Sequence, residues 1–183
     1  MRVIAGQYKR RVLMAPRGHT TRPIPDRLKE SLFSILQPWL PGARVLDLCS
    51  GSGAMGIEAL SRGAAWVTFV DSSSEAIRAL KHNLKSLRIE SGFAVFSCDV
   101  DLALRRLEQA GETFDLVFFD PPYASDLYLT TLPMLGTAAV LKSGAIVMVM
   151  HHAKNCLAQT YGRLQRGREL RQGENQLSFY VLD

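Results

Sequence analysis

The chain has 183 residues and a net charge of +5, with 47 % hydrophobic and 21 % charged residues, enough for one domain that buries its own core. No apolar stretch is long enough to span a bilayer, and no apolar run follows the early arginines as a secretory signal would require. Three separated cysteines (Cys49, Cys98 and Cys156) without a Cys-x-x-Cys pair argue against a disulfide framework or zinc site, so the expected setting is a reducing cytoplasm with no metal.

Charge is concentrated at the start. Residues 1–29 carry Arg2, Lys9, Arg10, Arg11, Arg17, Arg22, Arg27 and Lys29 against Asp26 alone, a net of +7, which leaves −2 for the rest. Such a segment suits a polyanionic partner such as nucleic acid. Residues 2–5 and 10–15 flank Gly6 and read as a β-hairpin, followed by an extended stretch from Pro16 to Pro25. A domain boundary is placed there: a basic arm over 1–24 and the main domain over 25–183. Asp26 is expected to cap a helix from about Arg27 to Gln37, with Leu28, Leu32, Ile35 and Leu36 on its apolar face.

Strand and helix then alternate. Strands are expected at 44–48, 66–70, 93–97, 114–119 and 145–150. Helices follow the glycines of 51–56, the Ser72/Glu75 capping box, Asp99 and Leu127, and another is expected near Lys154–Tyr161. Runs at 163–171 and 176–182 read as a terminal antiparallel hairpin. Five β-α units imply a parallel sheet covered by helices on both faces.

The first strand breaks into Gly51, Gly53 and Gly56, the strand–turn–helix pattern that lets backbone approach a nucleotide. Asp71, twenty residues after Gly51, stands where an acid holds a ribose hydroxyl, so a nicotinamide enzyme is one reading. Asp47 points elsewhere. A carboxylate aimed at the loop repels a pyrophosphate but favours S-adenosylmethionine, which is cationic and has no phosphate. Acids recur at successive strand ends, at Asp47, Asp71, Asp99 and Asp120. Asp71 can take ribose hydroxyls and Asp99 an adenine amino group; helix capping is the structural alternative for both.

Asp120-Pro121-Pro122-Tyr123 follows the apolar strand at 114–119. Two prolines fix the backbone and its carbonyl directions. The Asp120 carboxylate and a proline carbonyl can accept both hydrogens of an exocyclic amine, freeing its lone pair, while Tyr123 offers a stacking face. The chemistry implied is methyl transfer to a nucleobase amino group.

These residues resemble the class I S-adenosylmethionine-dependent methyltransferases that act on nucleobase amino groups. Within them the whole chain resembles the bacterial RsmD family. The resemblance is carried by Arg2-Val-Ile-Ala-Gly6, Thr21-Arg22-Pro23, Asp26-Arg27, Gly51-Ser-Gly-Ala54, Gly56-Ile-Glu-Ala-Leu-Ser-Arg-Gly-Ala64 and Gln176-Leu-Ser-Phe-Tyr180. It departs at Cys49-Ser50, where Phe-Ala is common, and at His151-His152, where many relatives carry an acid; a histidine there reads as structural or RNA-facing. The resemblance implies a Rossmann-like α/β fold with a mostly parallel seven-stranded sheet, an antiparallel last strand and an N-terminal β-hairpin that grips RNA. It implies N2-methylation of a guanine in 16S ribosomal RNA, with the small subunit or an assembly intermediate as partner, by a cytoplasmic monomer. Carried onto matching positions, it implies S-adenosylmethionine contacts from Asp47, Cys49, Gly51, Ser52, Gly53, Gly56, Asp71, Ser72, Asp99, Val100 and Asp120. The catalytic set is Asp120, Pro121, Pro122 and Tyr123, and the candidates for RNA phosphate contact are Arg10, Arg11, Arg17, Arg22 and Arg27. The alternatives are an adenine-N6 methyltransferase and a non-catalytic RNA-binding assembly factor.

Overall fold

Residue alternation along each strand decides which layer it joins. The computed structural model describes residues 1–16, 24–123 and 125–183. Helix α1 (Asp26–Leu36) precedes β1 (Arg44–Leu48), α2 (Ala54–Ser61), β2 (Trp66–Asp71), α3 (Ser74–Ser86), β3 (Phe93–Ser97), α4 (Val100–Gln109), β4 (Phe114–Phe119), α5 (Leu127–Thr137) and β5 (Leu141–His152). Strands β6 (Thr160–Tyr161), β7 (Leu164–Gln172) and β8 (Asn175–Leu182) follow. They form one sheet in the order β3-β2-β1-β4-β5-β8-β7-β6. The strands from β3 to β5 are parallel; β8 runs antiparallel to both β5 and β7.

Val45, Val67, Phe69, Leu116 and Phe118 pack on one face, against Leu32 of α1, Ile57 of α2 and Leu80 of α3. Leu46, Leu48, Val70, Val117 and Phe119 pack on the other, against Leu104 of α4 and Leu132 of α5. The path from β1 to β3 runs one way across the sheet and that from β4 to β5 the other. The order therefore reverses between β1 and β4, and a crevice opens beyond their carboxyl ends, where open α/β sheets bind ligands.

The N-terminal arm pairs its two segments antiparallel around the bridge Arg2 to Val12, with Val3 donating to the Arg11 carbonyl, Arg10 to the Val3 carbonyl and Leu13 to the Met1 carbonyl. Other donors of the turn fasten it to α2. Ile4 and Ala5 donate to the Glu58 carboxylate at 2.7 and 3.0 Å. Gln7 donates to the Ser61 carbonyl and Tyr8 to the Ser61 hydroxyl. Gly6 lies so close to α2 that a Cβ there would stand 1.8 Å from the Ser61 carbonyl oxygen. Val3 and Leu13 join the same core as α1 to α3, so the arm is packed on the domain.

Other expectations are corrected. Among the described residues the sheet has eight strands where seven were expected, the two-residue β6 extending its edge. No helix forms over 154–161. There the Ala158 amide donates to the Tyr161 hydroxyl, and the Ala158 and Gln159 carbonyls accept from the Tyr180 hydroxyl and the Arg166 amide, so the backbone is tied to β7 and β8. The Asn155 side chain donates to the Tyr123 carbonyl. Ser73, not Ser72, caps α3, accepting from the Ala76 amide at 3.3 Å. Pro25 holds the N-cap of α1, and Asp26 sits in the first turn paired with Arg2 at 2.8 Å. No helix among the described residues is long and apolar enough to cross a membrane.

Candidate active site

The turn after β1 is built from left-handed backbone. Cys49, Gly51 and Gly53 have φ of 59°, 55° and 79°. Gly51 faces open space, with nothing within 4 Å of where a Cβ would stand. Gly53 and Gly56 do different work. An added Cβ at Gly53 would meet Leu80 at 2.3 Å, and one at Gly56 would meet Phe69 at 2.3 Å. Gly53 lets the start of α2 approach α3, Gly56 seats α2 on β2, and neither lines the cavity beside the turn. The sequence pattern cannot separate the two uses, since both need a missing side chain.

That cavity has a volume of about 900 Å³. Asp47, Cys49, Gly51, Ser52, Asp71, Ser72, Asp99, Val100 and the whole of Asp120–Tyr123 line it. Met1, Ala15, Pro16 and Ile24 close one side, bringing the arm into the site. Asp71 anchors the turn: its Oδ2 accepts from the Gly51 amide and its Oδ1 from the Ser73 amide, both at 2.8 Å. Each oxygen keeps a free lone pair, as two ligand hydroxyls would need. Asp99 sits at the N-cap of α4 without a side-chain capping hydrogen bond. The structural alternative for Asp99 is thus not realised.

Asp47 is 2 % exposed, and among the described residues it accepts only the Gly56 amide, at 2.9 Å. Burial pushes its carboxyl up to about 8, the Gly56 bond opposing and the charges of Asp120 and Asp71 adding to the rise. Burial pushes Asp120 up to about 7. The Cys49 thiol is likewise raised, by burial first and then by the three aspartates. Two more polar atoms in the lining, Ser50 Oγ and Asp101 Oδ1, are buried without a hydrogen-bond partner among the described residues. Anionic groups and unfilled acceptors together fit a cationic, hydroxyl-bearing ligand and reject a pyrophosphate. S-adenosylmethionine fits this donor set. No group of three or more His, Cys, Asp or Glu side chains suited to a metal occurs among the described residues.

Tyr123 is held from outside its own motif. Its hydroxyl donates to Asn175 Oδ1 at 2.6 Å, and His152 packs edge-on to its ring with centroids 5.9 Å apart. The Tyr128 hydroxyl donates between the carbonyls of Met150 and Pro121, at 3.1 and 3.3 Å. His151 is buried, with its ring nitrogens 2.9 Å from Ser178 Oγ and 3.0 Å from the His152 carbonyl, so it is structural and not RNA-facing. Burial lowers its pKa. Asn83 bridges arm and turn: it accepts from the Met14 amide at 2.8 Å and donates to the carbonyls of Met14 and Ser52 at 2.9 and 3.0 Å. Sequence reasoning missed Asn83, Tyr128, Asn155 and Asn175. Only Asn83 leaves a signal, as a polar residue beside the apolar stripe of Ile77, Leu80 and Leu84.

Of the RNA candidates, Arg10 and Arg11 lie at the arm's turn and Arg27 lies on α1. Arg17 and Arg22 lie outside the described residues.

Comparison with known proteins decides the lineage. The family described as conserved hypothetical protein 95 matches residues 1–181. The chain belongs to this family. The Bacillus subtilis (strain 168) protein named putative rRNA methyltransferase YlbH is 36 % identical over 98 % of each chain. The protein named ribosomal RNA small subunit methyltransferase D of Escherichia coli (strain K12) is 35 % identical over 86 % of this chain and 77 % of its own. The solved structure of yhhF from Escherichia coli superposes with a TM-score of 0.86 at 32 % identity, covering 100 % of this chain and 98 % of that one.

Proposed function

We propose that this chain transfers a methyl group from S-adenosylmethionine to the N2 amino group of a guanine in 16S ribosomal RNA. The family, with a relative named for small-subunit ribosomal RNA, supports an rRNA methyltransferase. The observation that carries the reaction is one cavity joining the glycine turn to Asp120-Pro121-Pro122-Tyr123 under a set of buried acids. In this reading residues 1–24 are the RNA-gripping arm and 25–183 the methyltransferase domain, working as a monomer in the cytoplasm on the small subunit or its assembly intermediate.

When bound, S-adenosylmethionine supplies a methyl group on a cationic sulfur. Asp71 holds its ribose hydroxyls, Asp99 its adenine amino group, and Asp47 complements its positive charge. Cys49, Gly51, Ser52, Ser72 and Val100 shape the wall around it, with Gly53 and Gly56 acting behind the wall. Guanine stacks on Tyr123. Asp120 and the Pro121 carbonyl accept the two N2 hydrogens, which turns the nitrogen lone pair toward the methyl carbon. Transfer of that methyl to N2 would release the neutral thioether and leave a surplus proton on nitrogen, beside the Asp120 carboxylate. An Asp120 carboxylate raised to about 7 is matched to receiving it near neutral pH.

The test is labelled methyl transfer to deproteinised small-subunit RNA and to assembled small subunits lacking the modification, with nucleoside analysis. N2-methylguanosine is expected. Methyladenosine would replace this reading with the adenine-N6 reaction, and absence of S-adenosylmethionine binding by calorimetry would leave a non-catalytic RNA-binding factor.

A further inference from the structure

The arm's basic turn lies at the wrong end of the domain to touch the target base. The cavity opens at the N-termini of α2 and α3. The arm runs away from it: Gln7 donates to the carbonyl of Ser61 at the end of α2, and Arg11 to that of Ser86 at the end of α3, at 3.3 Å. Helix α3 has 13 residues, which spans about 20 Å. Asn83, one turn before Ser86, meets Ser52 of the cofactor turn at 3.0 Å, so Arg10 and Arg11 lie beyond that turn, on the side away from the N-terminus of α3.

The same end of α3 carries more positive charge. Lys81, Lys85 and Arg88 line a groove of about 510 Å³ between α3 and β3, with Glu90 as the acid in its lining. At 100° per residue they lie across the exposed ridge of α3 from Asn83 and Ser86, which meet the arm. The ridge thus has Arg11 on one side and the groove on the other. Arg11, Lys81, Lys85 and Arg88 form no ion pair among the described residues, whereas Arg78, nearer the cavity, is taken by Glu75.

Backbone conformation gives an independent indication. Among the described residues only three non-glycines have positive φ: Cys49 in the cofactor turn, Arg10 at 68° and Arg88 at 57°. Glycine is the unstrained residue at such positions, and it ends helices there routinely. Of the left-handed sites at this far end, Gly6, Gly63 and Gly92 hold glycine, whereas Arg10 and Arg88 hold arginine, and backbone strain of this kind clusters where function maintains it.

We propose that Arg10, Arg11, Lys81, Lys85 and Arg88 form a docking surface for an RNA phosphate backbone, remote from the methylated base. It rests on the RNA reading above and extends it: the enzyme grips its substrate at two places, one for chemistry and one for position.

The experiment uses the full chain with a small-subunit rRNA transcript and assembled small subunits. RNA binding is followed against salt, and methylation kinetics on the better substrate. Arg88→Gly and Lys81→Ala/Lys85→Ala each remove charge from the surface; Arg88→Gly also relieves strain and is expected to keep Tm within a few degrees of wild type. Combined, the three substitutions are expected to lower the slope of log K against log salt by about 2, to raise KM for RNA several-fold and to leave kcat and S-adenosylmethionine affinity unchanged. An unchanged salt slope and KM in the combined variant, with wild type methylating RNA, overturns the docking surface alone. A wild type that methylates neither substrate removes the reading beneath it.

Discussion

Two buried carboxylates in the chain's first βα unit, Asp47 on the strand and Glu58 on the helix, meet opposite fates. Glu58 is fully buried and saturated: it accepts the amides of Ile4 and Ala5, Arg62 Nε at 2.8 Å, and faces Lys29 Nζ at 3.2 Å. Lys29 in turn donates to the Arg2 carbonyl, and burial lowers its pKa against the pull of Glu58. Asp47 has one amide and two neighbouring acids. The first arrangement is complete without a ligand and fastens the arm to α2. The second is incomplete, and a cation would relieve it. A buried charge with its partners present is architecture; one without them marks a place for something else.

The largest effect that would test this contrast is at Glu58. Glu58→Ala leaves Lys29 buried without its anion and frees four donors, so unfolding free energy measured in denaturant should fall by about 3–5 kcal/mol. If the loss were under about 1 kcal/mol, the clamp would be ornamental. Asp120→Ala should lower kcat by about 10²–10³, while calorimetry finds S-adenosylmethionine affinity within a few-fold of wild type. Retained turnover would remove Asp120 from the chemistry. Asp47→Asn keeps an acceptor for the Gly56 amide but removes the charge. It should weaken S-adenosylmethionine binding about tenfold, a change of ~1.4 kcal/mol, and raise the Tm of the ligand-free protein at pH 8.

The pH dependence carries a sign. Asp47 and Asp120 are raised above 3.8 in the folded chain, to about 8 and about 7. The native state then binds more protons than the unfolded one between those values, so the ligand-free protein loses stability as pH rises from 4 through 8. A melting series from pH 5 to 8 should fall, and saturating S-adenosylmethionine should flatten it. Over the same range kcat/KM should rise with ionisation of Asp120. The smallest effect is expected at Asn175→Ala, a few-fold rise in KM for RNA with cofactor affinity unchanged. Tyr123→Phe should give the same loss, and the double substitution no more than either alone.

The sequence made some of this visible and concealed the rest for definite reasons. Gly51, Asp71 and Asp120-Pro-Pro-Tyr123 were legible because strand-end acids and turn residues act locally, within a few positions of the strand that presents them. The five parallel strands were legible for the same reason. Glu58 and Asn83 were not. Their partners, Ile4 and Met14, lie 54 and 69 positions away, and the one local mark, a polar Asn83 beside an apolar stripe, does not name the distant backbone it receives. The helix expected over 154–161 does not form because backbone groups of Ala158 and Gln159 are bonded to Tyr161, Tyr180 and Arg166, most of them distant in the chain or on later strands. Gly53 and Gly56 carried the right motif for a second cause, close packing against Leu80 and Phe69.

Strand β8 lies between β5 and β7, although both precede it in the chain. During synthesis the five parallel strands emerge first, yet β7 has nothing to pair with except β6 until residues 175–182 are made. Asn175, at the start of β8, is also the acceptor that holds the Tyr123 hydroxyl. A nascent chain can form the turn after β1 before Asn175 exists to hold Tyr123, so the cavity's lining is completed only when the last strand is made.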